Sequence, residues 1–350
     1  MAARLALPGR AARLALRGRV RAVRQKLAFA GGALLAALAA VALGELYLRV
    51  APPGDLAPYL QEGDRPGPFT ADPTFGVRYR SLEALAADNP GRLDPYRPLF
   101  NSPGAPPVWA FFGNSFVQAP DMLADTTRKL VPQRVTFNLG KNELPAVRLA
   151  QAALLLDSGL APERVFVVLI PLDVAAYALH GLDQYRATPS GAHAFAPRLP
   201  PVGGGLVRDS RLALKGWTRT TLHQNRPFFS AAALYTRVDP AIRADVRTGL
   251  GGLAAVAARH RVPVTVVLLP SHEQVCRGFG FAVQDALAED ARAVGFDVCD
   301  VRAAFLACPD KPALFIPDKH FSEAGNRVLL AAILEHLNAP GLPAPAEVRP

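Results

Sequence analysis

The chain has 350 residues, half of them hydrophobic, and a formal net charge of +10. An excess of that size suggests a nucleic-acid footprint when read globally. Eight of the basic residues (Arg4, Arg10, Arg13, Arg17, Arg19, Arg21, Arg24 and Lys26) sit in residues 1–26, which hold no acid, so the remainder carries 31 basic against 29 acidic residues. A nearly neutral remainder with no basic stripe argues against nucleic acid as a partner.

Residues 1–26 read as a basic cytoplasmic segment. Directly after them, Leu27–Gly44 is an eighteen-residue run without a charge, extended by Leu46, Tyr47, Leu48 and Val50, with Glu45 and Arg49 near its far end. The length is at the lower edge for a spanning helix. The basic flank keeps that end inside. Residues 27–50 therefore read as a transmembrane signal anchor in the cytoplasmic membrane, with the following chain outside it, in the periplasm if the cell is Gram-negative. A cleaved signal peptide ending at Ala42-Leu43-Gly44 is the alternative.

Residues 51–107, rich in proline and glycine, read as a stalk and lead-in. From Val108 the pattern alternates. Short apolar runs at Val108–Phe112, Arg134–Leu139, Val165–Ile170, Val262–Leu269 and Phe296–Val298 suit buried parallel strands. Helical patterns fall between and after them, at about 120–130, 143–158, 239–260, 279–294 and 322–337. The expected fold over 108–338 is α/β, a three-layer α/β/α sandwich with a parallel sheet. Residues 174–235 break the rhythm as an irregular insertion. Its Tyr177, Tyr185, Trp217, Phe228 and Phe229 suit either a carbohydrate cleft or packing of the insertion itself. Residues 339–350 form a proline-rich tail.

Cys276, Cys299 and Cys308 allow at most one disulfide in an exported domain, or three buried apolar thiols. No group has metal-ligand spacing, and no cofactor is implied.

Two stretches carry the chemistry. Phe111-Phe112-Gly113-Asn114-Ser115-Phe116 is an apolar run ending in a small residue and a serine, which a strand and sharp turn would leave exposed. Pro317-Asp318-Lys319-His320-Phe321-Ser322-Glu323-Ala324-Gly325 puts an aspartate and a histidine just before an amphipathic helix with an N-cap signal at Ser322. A serine hydroxyl becomes a nucleophile when a base takes its proton and a carboxylate orients that base. Ser115, His320 and Asp318 supply those parts. Ser115 and Asp173 follow strands, where open α/β sheets hold their sites.

Gly113-Asn114-Ser115-Phe116, Asn138-Leu139-Gly140 and Asp318-Lys319-His320-Phe321-Ser322-Glu323-Ala324-Gly325 resemble the first, second and last blocks of the SGNH/GDSL hydrolases. The N-terminal helix ahead of them, with Glu45-Leu46-Tyr47-Leu48-Arg49 and Asp72-Pro73-Thr74-Phe75-Gly76, is most similar to their membrane-anchored bacterial branch. The resemblance spans about Val108 to Leu337. It implies a flavodoxin-like fold and ester hydrolysis or O-acyl transfer. Ser115 would be nucleophile, His320 base and Asp318 its orienting acid, with an oxyanion hole from the Ser115 and Gly140 N–H groups. The chain departs from the pattern in three places. Asn114 stands for the usual aspartate. Asp318 and His320 are two apart where three is common, a spacing similar to polysaccharide O-acetyltransferases. Leu172 stands where the third block has its oxyanion asparagine, and Asn142 is the candidate replacement donor. The expected substrate is an acylated envelope glycan or another ester; the oligomeric state is open. The rival expectation is a non-catalytic envelope module that binds glycan or a partner protein.

Overall fold

The computed structural model describes residues 10–50, 67–89, 92–100, 102, 104–140, 145–171, 173–174, 185–187, 193–195, 210–224, 238 and 240–338. The chain divides into two compact units, Met1–Leu56 with Leu199–Trp217, and Ala57–Arg198 with Thr218–Pro350.

The first unit is dominated by one continuous helix, α1 (Arg10–Val50). Its Val23–Val50 part is long and apolar enough to cross a membrane. Phe29, Leu34, Leu35, Leu38, Val41 and Leu43 are all exposed on it.

The second unit opens with an antiparallel hairpin, β1 (Phe69–Asp72) and β2 (Gly76–Tyr79), then α2 (Leu82–Asp88) and α3 (Arg97–Phe100). The hairpin turn is local chemistry: Asp72 Oδ1 accepts the N–H groups of Thr74 and Phe75 at 2.8 and 2.9 Å. Phe69, Phe75, Val77, Tyr79, Leu82, Leu85, Leu93 and Phe100 are buried in the main core. The described part of the expected stalk is thus packed structure. Aromatic residues spaced through a Pro/Gly-rich stretch were enough to fold it onto the domain.

The central sheet has five parallel strands, β3 (Val108–Phe112), β4 (Val135–Asn138), β5 (Arg164–Leu169), β8 (Val264–Leu268) and β9 (Asp297–Asp300). They lie in the order β4-β3-β5-β8-β9, which by order along the sheet is the 2-1-3-4-5 of flavodoxin-like folds. Each strand lies within two residues of its sequence-derived run. Between the sheet strands run α4 (Ser115–Gln118), α5 (Leu123–Leu130) and α6 (Pro145–Asp157). The described pieces of the insertion are a short hairpin, β6 (Tyr185–Ala187) with β7 (His193–Phe195), and helix α7 (Arg211–Gln224). Then come α8 (Pro240–His260), α9 (His272–Arg277), α10 (Ala282–Ala293), α11 (Arg302–Leu306) and α12 (Glu323–Leu337).

Alternation along the strands explains the three layers. Val108, Ala110 and Phe112 point to the face covered by α6, α8 and α10. Trp109 and Phe111 point to the face covered by α5 and α12. Both faces are buried, so the strands read as unbroken apolar runs. Phe111 and Phe166, paired in register across β3 and β5, have ring centroids 4.6 Å apart. Truncating either to alanine costs about 3–5 kcal/mol by lost burial and a cavity.

The three cysteines are free thiols. Cys299 is buried on β9, and burial pushes its thiol up to about 12. The possible disulfide is not formed; Cys299 packs as an apolar residue instead.

Candidate active site

The β3 strand ends at Phe112 and the chain turns at once into the single helical turn α4. Gly113 permits this, because a Cβ there would lie 2.4 Å from Val117 Cγ2. Asn114 caps the turn, its Oδ1 accepting the Phe116 N–H at 3.0 Å. Ser115 follows at the first helical position, where the backbone N–H has no acceptor within its own helix. The residues from Phe111 to Ser115 therefore build a strand-to-helix turn that presents one hydroxyl at the carboxyl edge of the sheet.

Asp318 and His320 arrive on a tight loop just before α12, closed by a β-bridge between Phe315 and Phe321. The Lys319 N–H donates to Ile316 O at 2.8 Å, and the Ile316 N–H donates to His320 O at 2.9 Å. Lys319 takes a left-handed φ of 73°, a conformation that costs a side-chain-bearing residue roughly 1–2 kcal/mol. That curl compensates for the short Asp-x-His spacing. It folds Asp318 back so that its Oδ1 lies 3.1 Å from both the His320 N–H and the ring Nδ1. Phe116 lies against the imidazole, with centroids 4.7 Å apart.

The outcome is direct contact between residues 205 apart: Ser115 Oγ lies 2.7 Å from His320 Nε2. With Asp318 accepting from Nδ1–H, Nε2 is the nitrogen left to accept the serine proton. The Asp318 carboxyl is held below its ordinary value, first by the His320 backbone N–H and then by the ring, with burial opposing. Its side chain is 64% exposed. Water therefore screens the pair strongly.

Behind the serine lies a buried polar network that the sequence did not announce. Asp173, buried, accepts from both Arg148 guanidinium NH₂ groups (Nη1 at 3.3 Å), from the Ile170 N–H at 3.0 Å and from Asn114 Nδ2 at 3.4 Å. Arg148 on α6 is only 2% exposed. This network grips Asn114, the residue beside Ser115. A second tie runs from Glu273 on α9 to Lys319, holding the histidine loop. The Lys319 ammonium draws the Glu273 carboxyl below its ordinary value although burial works against it.

Gly140, expected to lend its N–H to an oxyanion hole, sits in a local hydrogen-bond network. The Gly140 N–H donates to Asn138 Oδ1 at 2.8 Å, while Asn138 Nδ2 donates to Val117 O at 3.0 Å and Arg92 Nη1 donates to Gly140 O at 2.8 Å. The Gly140 N–H, expected in the oxyanion hole, is thus engaged by a side chain two residues back, a local bond that asparagine forms readily. The glycine is needed for space, since a Cβ would lie 2.8 Å from the Gln118 N and 2.9 Å from Val117 Cβ. Asn142 and Leu172 lie outside the described residues.

No protein-family model matches the chain, and no curated protein matches it. Solved structures that it resembles include an alpha/beta hydrolase enzyme from the metagenome of Lake Arreo, at 14% identity and a TM-score of 0.39 over 69% of this chain and 98% of that one. A lipase/acylhydrolase from Enterococcus faecalis has 14% identity and a TM-score of 0.39, over 66% and 95%. An acetylxylan esterase from Geobacillus stearothermophilus has 14% identity and a TM-score of 0.36, over 68% and 96%.

Proposed function

We propose that this protein is an SGNH-type serine esterase or O-acyltransferase, anchored by α1 in the cytoplasmic membrane with its hydrolase-like domain outside, acting on acyl, chiefly acetyl, esters of envelope glycans. The observation that carries the reading is the 2.7 Å contact between Ser115 Oγ and His320 Nε2, with Asp318 on the opposite ring nitrogen.

In this mechanism Ser115 Oγ attacks the ester carbonyl as its proton passes to His320 Nε2. Asp318 stabilises the imidazolium and fixes its tautomer. The tetrahedral intermediate carries its charge on the former carbonyl oxygen, where the Ser115 N–H is the donor at hand. Collapse expels the alcohol, which takes the proton back from His320. Water or a sugar hydroxyl then attacks the acyl-serine as His320 takes its proton; collapse breaks the acyl–Ser115 bond, and Ser115 Oγ recovers the proton from His320 as the free acid or the new ester leaves. Hydrolysis and transfer share the acyl-enzyme. The membrane tether supports an envelope substrate, because it holds the site near the cell wall.

Release of acetate from a small acetyl ester by the purified full chain tests this. Wild type should turn over, and Ser115→Ala and His320→Ala should fall to the uncatalysed background. Equal rates in wild type and Ser115→Ala would leave the second reading, a non-catalytic binding module. That reading draws on the Gly140 N–H engaged by Asn138, since losing one oxyanion donor costs roughly 100- to 1000-fold.

A further inference from the structure

Glu45 is an acid at the end of an uncharged helix run, and its carboxylate is fully used. It accepts Ser210 Oγ at 3.0 Å, the Arg211 N–H at 3.0 Å, the Leu212 N–H at 2.9 Å and Arg49 Nε at 2.9 Å. Arg211 and Leu212 open α7, and Ser210, just before it, accepts the Ala213 N–H at 3.1 Å. Glu45 therefore caps, from 165 residues away, a helix N-terminus whose free N–H groups and positive dipole end favour an anion. Leu212 also sits beside the same turn of α1: a Cβ added at Gly44 would lie 3.7 Å from its Cδ1.

This junction fixes a depth. Leu27–Gly44 is eighteen uncharged residues, about 27 Å of helix at 1.5 Å per residue, close to the hydrocarbon thickness of about 30 Å. With Lys26 at the inner boundary, Gly44 and Glu45 stand at the outer one. In the anchored chain proposed above, the Glu45 contacts would bring the first turn of α7 to lipid headgroup level. Its residues fit that level. Arg211 and Lys215 are one turn apart, with Arg219 continuing the spacing in sequence; Leu212 is exposed, and Trp217 follows. Tyr47, exposed on α1 half a turn beyond Glu45, adds an aromatic of the kind that sits at membrane interfaces.

We propose that α7 is a membrane-surface element whose first turns lie in the outer-leaflet interface and bind anionic phospholipid headgroups through Arg211 and Lys215, with the Glu45 clamp holding it there. The inference rests on the anchor in the function proposed above, and not on the esterase chemistry.

The test uses the full chain in bilayers of phosphatidylcholine and phosphatidylglycerol whose acyl chains are brominated near the headgroup. Trp217 emission should be quenched. Trp217→Phe should remove the quenched component, because the remaining Trp109 is buried in the sheet core. Glu45→Ala should lose the quenching while the protein stays membrane-bound, and omission of phosphatidylglycerol should weaken it. An intact chain whose Trp217 is unquenched, or quenched equally in Glu45→Ala, overturns the proposal. N-terminal sequencing separates that failure from failure of the anchor: a mature chain that starts at Glu45 removes both.

Discussion

Asn114→Asp puts a second carboxylate beside Asp173 and should be destabilising. Asn114 Nδ2 donates to Asp173 Oδ1 across 3.4 Å, and Asp173 is already matched by the single cation Arg148. A second carboxylate at that distance meets repulsion of about 5 kcal/mol at an effective dielectric constant of about 20. Proton uptake caps the cost. Relative to an unfolded value near 3.9, holding the proton to pH 7.5 costs about 5 kcal/mol, and to pH 5.5 about 2 kcal/mol. The sign follows from linkage: the folded-state pKa of the introduced carboxyl is raised, the folded state binds more protons, and stability falls as pH rises. The assay is urea unfolding of the variant and of Asn114→Ala at both pH values. Asn114→Ala loses only the cap and one hydrogen bond, about 1–2 kcal/mol, without pH dependence. If Asn114→Asp tracks Asn114→Ala at both pH values, Asp173 and Asn114 are not in contact and the network does not hold.

Other outcomes follow from the same geometry. Arg148→Leu leaves Asp173 buried without its cation and should lose roughly 3–5 kcal/mol of stability, read by the shift in urea midpoint. Gly140→Ala should cost about 1–3 kcal/mol from overpacking against Gln118 and Val117, by the same assay. Asp318→Asn should slow acetyl-ester turnover far less than the roughly 10,000-fold seen where the triad aspartate is buried, because Asp318 is mostly in water; a fall of that full size would contradict the exposed position. Lys319→Met removes the group that draws the Glu273 carboxyl below its ordinary value of 4.5. The stabilisation from that pair is present above this value and is lost as pH falls through the folded-state value. The stability gap between variant and wild type should therefore be seen at neutral pH and close in acid, as followed by thermal unfolding across pH.

The sheet was legible because strands buried on both faces leave continuous apolar runs, as in Val165–Ile170 and Val262–Leu269, and their ends fall within two residues of the folded strands. The meeting of Ser115 with His320 was legible for a topological reason. A serine after the first sheet strand and a histidine before the last helix both belong to the carboxyl edge. The hairpin at 69–79 was less visible because its strands are four residues each. Its turn signal, Asp72-Pro73-Thr74-Phe75-Gly76, is plain in retrospect. The Arg148–Asp173 pair was not legible, since a charge within an apolar helix and a charge after a strand meet only once the helix docks. The engagement of the Gly140 N–H by Asn138 is a two-residue local contact, open to sequence reasoning that asks where each asparagine side chain bonds.

The most direct test of the central claim is covalent: treat the purified full chain with a fluorophosphonate and locate the adduct by mass spectrometry. One adduct should form, on Ser115, lost in Ser115→Ala and formed much more slowly in His320→Ala. A chain that remains unlabelled, or that labels equally well without His320, would contradict it.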